Sequence, residues 1–96
     1  MSTLADTPEY FEDTSFVVGD SPVTLDLRAA LGRNATSVTV LCDGAGNFTV
    51  AFSVDGIAYG DAILIKNSES LSFSDMSVAT VRIAWVSDSS YRVIAI

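Results

Sequence analysis

The chain has 96 residues, enough for one domain and too few for two. Hydrophobic residues make up 49% and charged residues only 18%, an apolar balance for so small a protein, so some apolar surface is expected to meet a partner. Five Lys and Arg stand against twelve Asp and Glu, for a net charge of -7; the scattered cations argue against a nucleic-acid partner, and no apolar run is long enough to span a membrane.

The first fourteen residues differ from the rest. Asp6, Glu9, Glu12 and Asp13 stand there with Pro8 and no basic residue. This reads as an extended acidic arm, with Tyr10 and Phe11 as adjacent aromatic anchors and docking on its own core the default. The β domain is expected to run from residue 15 to residue 96.

Strand patterns follow. Phe16-Val17-Val18 is a short apolar run closed by the turn cluster Gly19-Asp20-Ser21-Pro22. Val23, Leu25 and Leu27 alternate with polar residues, and Arg28 to Gly32 fits a single helical turn closed by glycine. Val38, Val40 and Cys42 share one face; Phe48, Val50, Phe52 and Val54 share another. Between them Asp43-Gly-Ala-Gly46 reads as a tight turn using positive φ, which predicts a hairpin of 36–42 with 47–55. Asp55-Gly56 predicts a further two-residue turn into a strand at 57–59, with a bulge at Gly60-Asp61 before 62–65. Leu71 and Phe73 alternate with serines. A late strand carries Val81, Ile83 and Trp85, and a final one runs from Tyr91 to Ile96. It is too apolar to sit in water and is expected to be paired inside a sheet. About eight short strands and no long helical period predict an all-β fold, a small antiparallel sandwich or barrel.

Chemistry is constrained by what is missing. The chain has no histidine and one cysteine, Cys42, so a Ser-His-Asp triad, a Cys/His zinc site and an intrachain disulfide are all ruled out. Cys42 sits in an apolar run and reads as a buried structural thiol. The aspartates at 43, 55, 61, 75 and 88 fall in turns, where such residues bond their own backbone. Asp43 with Asn47, or Asp55 with Asp61, offers oxygen ligands for calcium without EF-hand spacing. No catalytic residue, metal or cofactor is expected. Paired aspartates are the one catalytic option left. Tyr59 and Tyr91 lie near turns and, with Asp61, would suit a sugar-stacking platform or an interface hot spot.

Phe52 to Gly60 (Phe-Ser-Val-Asp-Gly-Ile-Ala-Tyr-Gly), the late strand Thr80 to Val86 and the ending Tyr91 to Ala95 carry a resemblance. Behind its acidic arm the chain resembles small virion structural proteins of tailed bacteriophages, including head decoration (cement) proteins and short fibre or adaptor modules. The resemblance implies a non-enzymatic protein assembled in the bacterial cytoplasm and found in the virion. It implies binding to the major capsid protein or other virion subunits, commonly as a homotrimer, with the arm reaching onto the shell. Tyr10, Phe11, Glu12, Tyr59, Asp61 and Tyr91 are the expected partner-binding residues. On this reading, removal of residues 1–14 abolishes capsid binding and leaves the fold intact. The same Ser-Val-Asp-Gly wording occurs in discoidin-like sandwiches, which are longer than this chain. The alternative function is therefore a carbohydrate- or receptor-binding module.

Overall fold

The computed structural model describes residues 8–96. Eight strands form two four-stranded antiparallel sheets. They are β1 (Glu9–Phe16), β2 (Val23–Asp26), β3 (Val38–Cys42), β4 (Phe48–Ser53), β5 (Ile63–Ile65), β6 (Ser70–Phe73), β7 (Thr80–Trp85) and β8 (Ser89–Ala95). The first sheet has the order β1-β8-β3-β6 and the second β2-β7-β4-β5. Successive strands mostly switch sheets, and the first strand pairs with the last. That order is a jelly roll, an all-β architecture of the class expected.

Alternation explains which side of each strand is buried. In β3 the even positions Val38, Val40 and Cys42 face inward, and in β8 the odd positions Ser89, Tyr91, Val93 and Ala95 do. The two sheets close over Phe16, Phe48, Val50, Ile83 and Val93, all fully buried. Phe16, Phe48 and Tyr91 meet edge to face, with ring centroids 5.4 to 6.4 Å apart. Phe52 and Phe73 make a second such pair across the sheets at 5.4 Å. Each fully buried side chain of this kind contributes about 1.5–3 kcal/mol of transfer free energy. Cys42 is buried as expected, its thiol directed at the Gly46 carbonyl (3.2 Å) and the Ser89 hydroxyl (3.3 Å).

The expected helical turn is α1 (Leu27–Leu31). The Asp26 carboxylate caps it by accepting from the Ala29 amide at 3.0 Å, and Gly32 closes it in the left-handed region at φ 79°. Beyond it Asn34 fastens three loops at one end of the sandwich. Its Nδ2 donates to the Val54 carbonyl and to the Ser77 hydroxyl, both at 2.9 Å, and its Oδ1 accepts from Arg28 Nε at 2.6 Å.

Three expectations are corrected. First, β3 and β4 do not form a hairpin. β3 lies between β8 and β6, and β4 lies between β7 and β5 in the other sheet. Alternation records that each strand has one buried face, and it is the same whether the two strands pair or face each other across the core. The turn at 43–46 is a crossover between sheets. Its glycines serve close approach rather than positive φ: a Cβ on Gly44 would run into the Ser90 amide, and one on Gly46 into the Asp88 carbonyl.

Second, residues 57–59 are not a strand. The Asp55 carboxylate accepts from the amides of Ile57 (2.8 Å) and Ala58 (3.0 Å), which takes those donors out of any ladder. β4 pairs instead with Ile63–Ile65, with Thr49 opposite Leu64. Gly60 is not a bulge within a strand; its amide donates to the Phe52 carbonyl at 3.0 Å from within the loop.

Third, residues 9–14 belong to the β domain. They make up most of β1, which pairs with β8 from Glu9 opposite Ala95 to Asp13 opposite Tyr91. The acidic side chains there are compatible with a strand because β1 is a sheet edge, where charge is tolerated. The remainder of the expected arm, residues 1–7, lies outside the described residues.

Candidate functional site

Two outer surfaces and a cleft stand out among the described residues as places where this fold can meet something else. The outer face of the second sheet is covered in part, with Leu64 left exposed on β5. The loop between β4 and β5 folds back over it, burying Ala51, Ser53 and Thr80. The Tyr59 hydroxyl hydrogen-bonds that of Thr80 at 2.7 Å, and the Arg82 guanidinium lies 4.1 Å from the Tyr59 ring centroid. The loop is also bonded to itself. Ser53 Oγ accepts from the Gly56 amide (2.8 Å) and donates to the Ala58 carbonyl (2.7 Å), while Gly56 takes φ 82°. Three hydrogen bonds, from Ile57, Ala58 and Ser53, hold the Asp55 carboxyl below its ordinary pKa, so its charge is already satisfied inside the loop. At the tip this rigid frame displays Ile57, 85% exposed, with Val54 beside it.

Among the described residues, nothing covers the outer face of the first sheet in this way. Tyr10 stands opposite Ile94, and Ile94 opposite Thr39. In the next row Glu12 stands opposite Arg92, and Arg92 opposite Leu41. Arg92 forms a fork with Asp43, Nε to Oδ2 at 2.5 Å and Nη2 to Oδ1 at 3.3 Å. Asp43, with help from the Tyr10 hydroxyl, lifts the guanidinium further above its ordinary range.

The cleft is an open hollow of about 320 Å³ between residues 14–17, the 43–46 crossover and residues 88–90. It lies where β1 bulges away from β8 between Asp13 and Phe16. Its lining mixes the hydroxyl residues Thr14, Ser15, Ser89 and Ser90 with Val17, Ala45 and Asp88, and among the described residues no cluster of three acidic or cysteine side chains is assembled to hold a metal ion.

The residues singled out from sequence separate into three places. Tyr10 and Glu12 lie on the outer face of the first sheet, Tyr10 being 53% exposed. Phe11, one position between them, points inward and packs against the core. Tyr59 and Asp61 lie in the β4–β5 loop, Tyr59 half-buried under Arg82 and Asp61 exposed. Tyr91 is a core residue, 4% exposed. A sugar platform built from Tyr59 and Tyr91 is therefore corrected: one ring is in the core and the other is covered by a guanidinium. Of the proposed calcium pairs, Asp43 is engaged by Arg92, and Asp55 by its own turn. Sequence reading missed Ile57, Ile94 and Arg92. Ile57 follows an Asp-Gly turn signal but was assigned to a strand; Ile94 and Arg92 are the outward positions of a strand that reads as uniformly apolar.

No protein family and no curated protein matches the sequence. Solved structures with a similar fold do exist. The FeII form of HppE superposes with a TM-score of 0.56 at 8% identity, covering 93% of this chain and 42% of that one. Hydroxypropylphosphonic acid epoxidase from S. wedmorenis in complex with fosfomycin gives 0.53 at 9% identity, over 92% and 41%. Protein VPA0057 of unknown function from Vibrio parahaemolyticus gives 0.50 at 10% identity, over 91% and 72%. This chain thus spans about two-fifths of the length of the HppE chains it resembles and shares their fold. An iron ion does not fit this interior: the space between the sheets is filled mainly by Phe16, Phe48, Val50, Ile83 and Val93, and among the described residues no three His, Cys, Asp or Glu side chains are grouped to hold it.

Proposed function

We propose that this protein is a structural component of a tailed-phage virion that binds the outside of the capsid and stabilises it through repeated protein contact. The observation that carries the reading is the filled interior. Jelly rolls recur in viral shells, lectins and cupins, and those that hold a small ligand inside need room that the Phe16, Phe48 and Tyr91 cluster occupies here. Binding then belongs to the exterior. The β4–β5 loop supplies a suitable element: its hydrogen bonds fix it before any partner arrives, so ordering it costs little on binding. Ile57 at its tip is an apolar knob suited to a pocket between capsid subunits. Bridging two shell subunits in this way resists their separation when the packaged genome presses outward. The major capsid protein is the partner in this reading, and the chain performs no turnover.

Quantitative mass spectrometry of purified virions from the source phage tests this directly. The chain is expected at the copy number of a structural protein. Added to heads stripped of it, the wild type is expected to co-sediment, with Ile57→Asp binding at least ~10-fold more weakly. Virions free of the chain would overturn the proposal.

A further inference from the structure

The two outer faces of the sandwich are unequal. The second sheet is covered by its own loop over the rows around Ala51 and Arg82 and leaves Leu64 exposed at its edge; the first presents Tyr10 beside Ile94 and Glu12 beside Arg92 along the β1–β8 seam. A net charge of -7 makes copies of this chain repel at a distance. On this seam, however, one carboxylate and one guanidinium stand on adjacent strands in the same row, each one step along its own strand from an apolar side chain.

We propose that the occupant of this face is a second copy of the same chain, packed sheet to sheet about a two-fold axis that runs along the β1–β8 seam. Such an axis lays β1 of one copy on β8 of the other. Residues in the same row then meet: Tyr10 falls on the partner's Ile94, and Glu12 on the partner's Arg92. The reverse contacts form at the same time, as a two-fold interface requires. Two other axes on the same face lose this pairing. One along β8 sets Arg92 against the partner's Arg92; one across the strands at the seam's midpoint sets Glu12 against the partner's Tyr10. Arg92 can serve both copies, because a guanidinium has five donor hydrogens, more than the fork to Asp43 through Nε and Nη2 and the contact with the Tyr10 hydroxyl use together. Stacked sheets lie about 10 Å apart, a gap that Tyr10 and Arg92 are long enough to fill. This assembly is independent of where the protein resides: a dimer found without virion attachment would sink the capsid reading alone.

Sedimentation velocity on the full chain, up to about 200 µM, reads the outcome. The expected wild-type result is a concentration-dependent dimer of the 10.1 kDa chain that weakens with added salt. Glu12→Lys places like charges opposite each other and is expected to weaken the dimer at least ~10-fold, while the monomer, slightly destabilised by the new lysine facing Arg92 across its own strands, keeps a cooperative thermal melt. Arg92→Glu then restores it when combined with Glu12→Lys. This swap is made in an Asp43→Asn background, which itself keeps the dimer and prevents repulsion at position 43. Tyr10→Ser weakens association, and Ile57→Ser leaves it unchanged. A monomer or a trimer across the whole range, a dimer indifferent to Glu12→Lys, or failure of the charge swap to restore it would each overturn the proposal.

Discussion

A phenol in the last strand of a small domain is an expensive group to bury, and Tyr91 is buried for its ring. It completes the edge-to-face cluster with Phe16 and Phe48. Burial, together with the nearby Asp13 and Asp20, raises its pKa above the ordinary 10.0. Below that value both folded and unfolded chains are protonated and the full stability is present. As pH climbs past it the unfolded phenol ionises first, so stability falls until the folded one follows. Tyr91→Phe is expected to flatten this alkaline limb, measured as urea midpoints from about pH 8 to 11. Asp55 behaves in the opposite sense. Its carboxyl is held down by the loop amides, so the stability it confers is present above 3.8 and is lost as pH falls through its lower folded value. Asp55→Asn should leave the sheets intact and speed hydrogen exchange at the Ile57 and Ala58 amides. The role of Asp55 was legible, because an Asp-Gly pair is a strong turn signal. That of Tyr91 was not: a tyrosine just after a Ser-rich turn looks the same in sequence whether its ring turns inward or outward.

At the scale of elements, strand positions and buried faces were mostly readable from period-two alternation, and sheet membership was not. β3 and β4 show why. Both alternate cleanly and a glycine-rich turn joins them, yet that turn is pressed against residues 87–90 in crossing from one sheet to the other. Gly46→Ala is therefore expected to cost about 1–3 kcal/mol through backbone displacement. Gly19→Ala, where no atom lies within 4 Å, should be near neutral; chemical denaturation of both variants checks the contrast. β1 was misread for a different reason. Its acidic composition resembles a solvated arm, but Phe11 turns inward by alternation and Phe16 by the bulge between Asp13 and Phe16, and both bind it to the core. Deleting residues 1–7 leaves every described strand in place and is expected to preserve the cooperative melt. Deleting residues 1–14 removes most of β1, exposes the flank of β8 and should abolish that melt, followed by circular dichroism.

At the scale of the whole molecule, all-β class and strand number followed from turn spacing, while the jelly-roll order could not. Strand order is decided by pairings between residues far apart in the chain, and a single sequence gives no sign of which distant apolar face meets which. The proposed contact surfaces were half legible for a related reason. Tyr10 and Glu12 stand out because charged and aromatic residues are conspicuous in an arm. Ile57 and Ile94 are ordinary strand residues until the fold leaves them outside. The interior follows the opposite rule: its filling with Phe and Val could be expected from composition, and it is what turns this architecture from a container into a surface.

Because the first strand lies against the last, Glu9 and Ala95 are cross-strand neighbours at one pole of the sandwich. A peptide of a few residues suffices to join them, making the backbone circular, and new ends can be opened at the exposed Lys66–Glu69 turn. Such a permutant should fold with an unchanged spectrum. By the same geometry, segments joined at Glu9 and at Ala95 leave from neighbouring points, so the domain can be threaded into a tether or loop of another protein without being pulled open along its length.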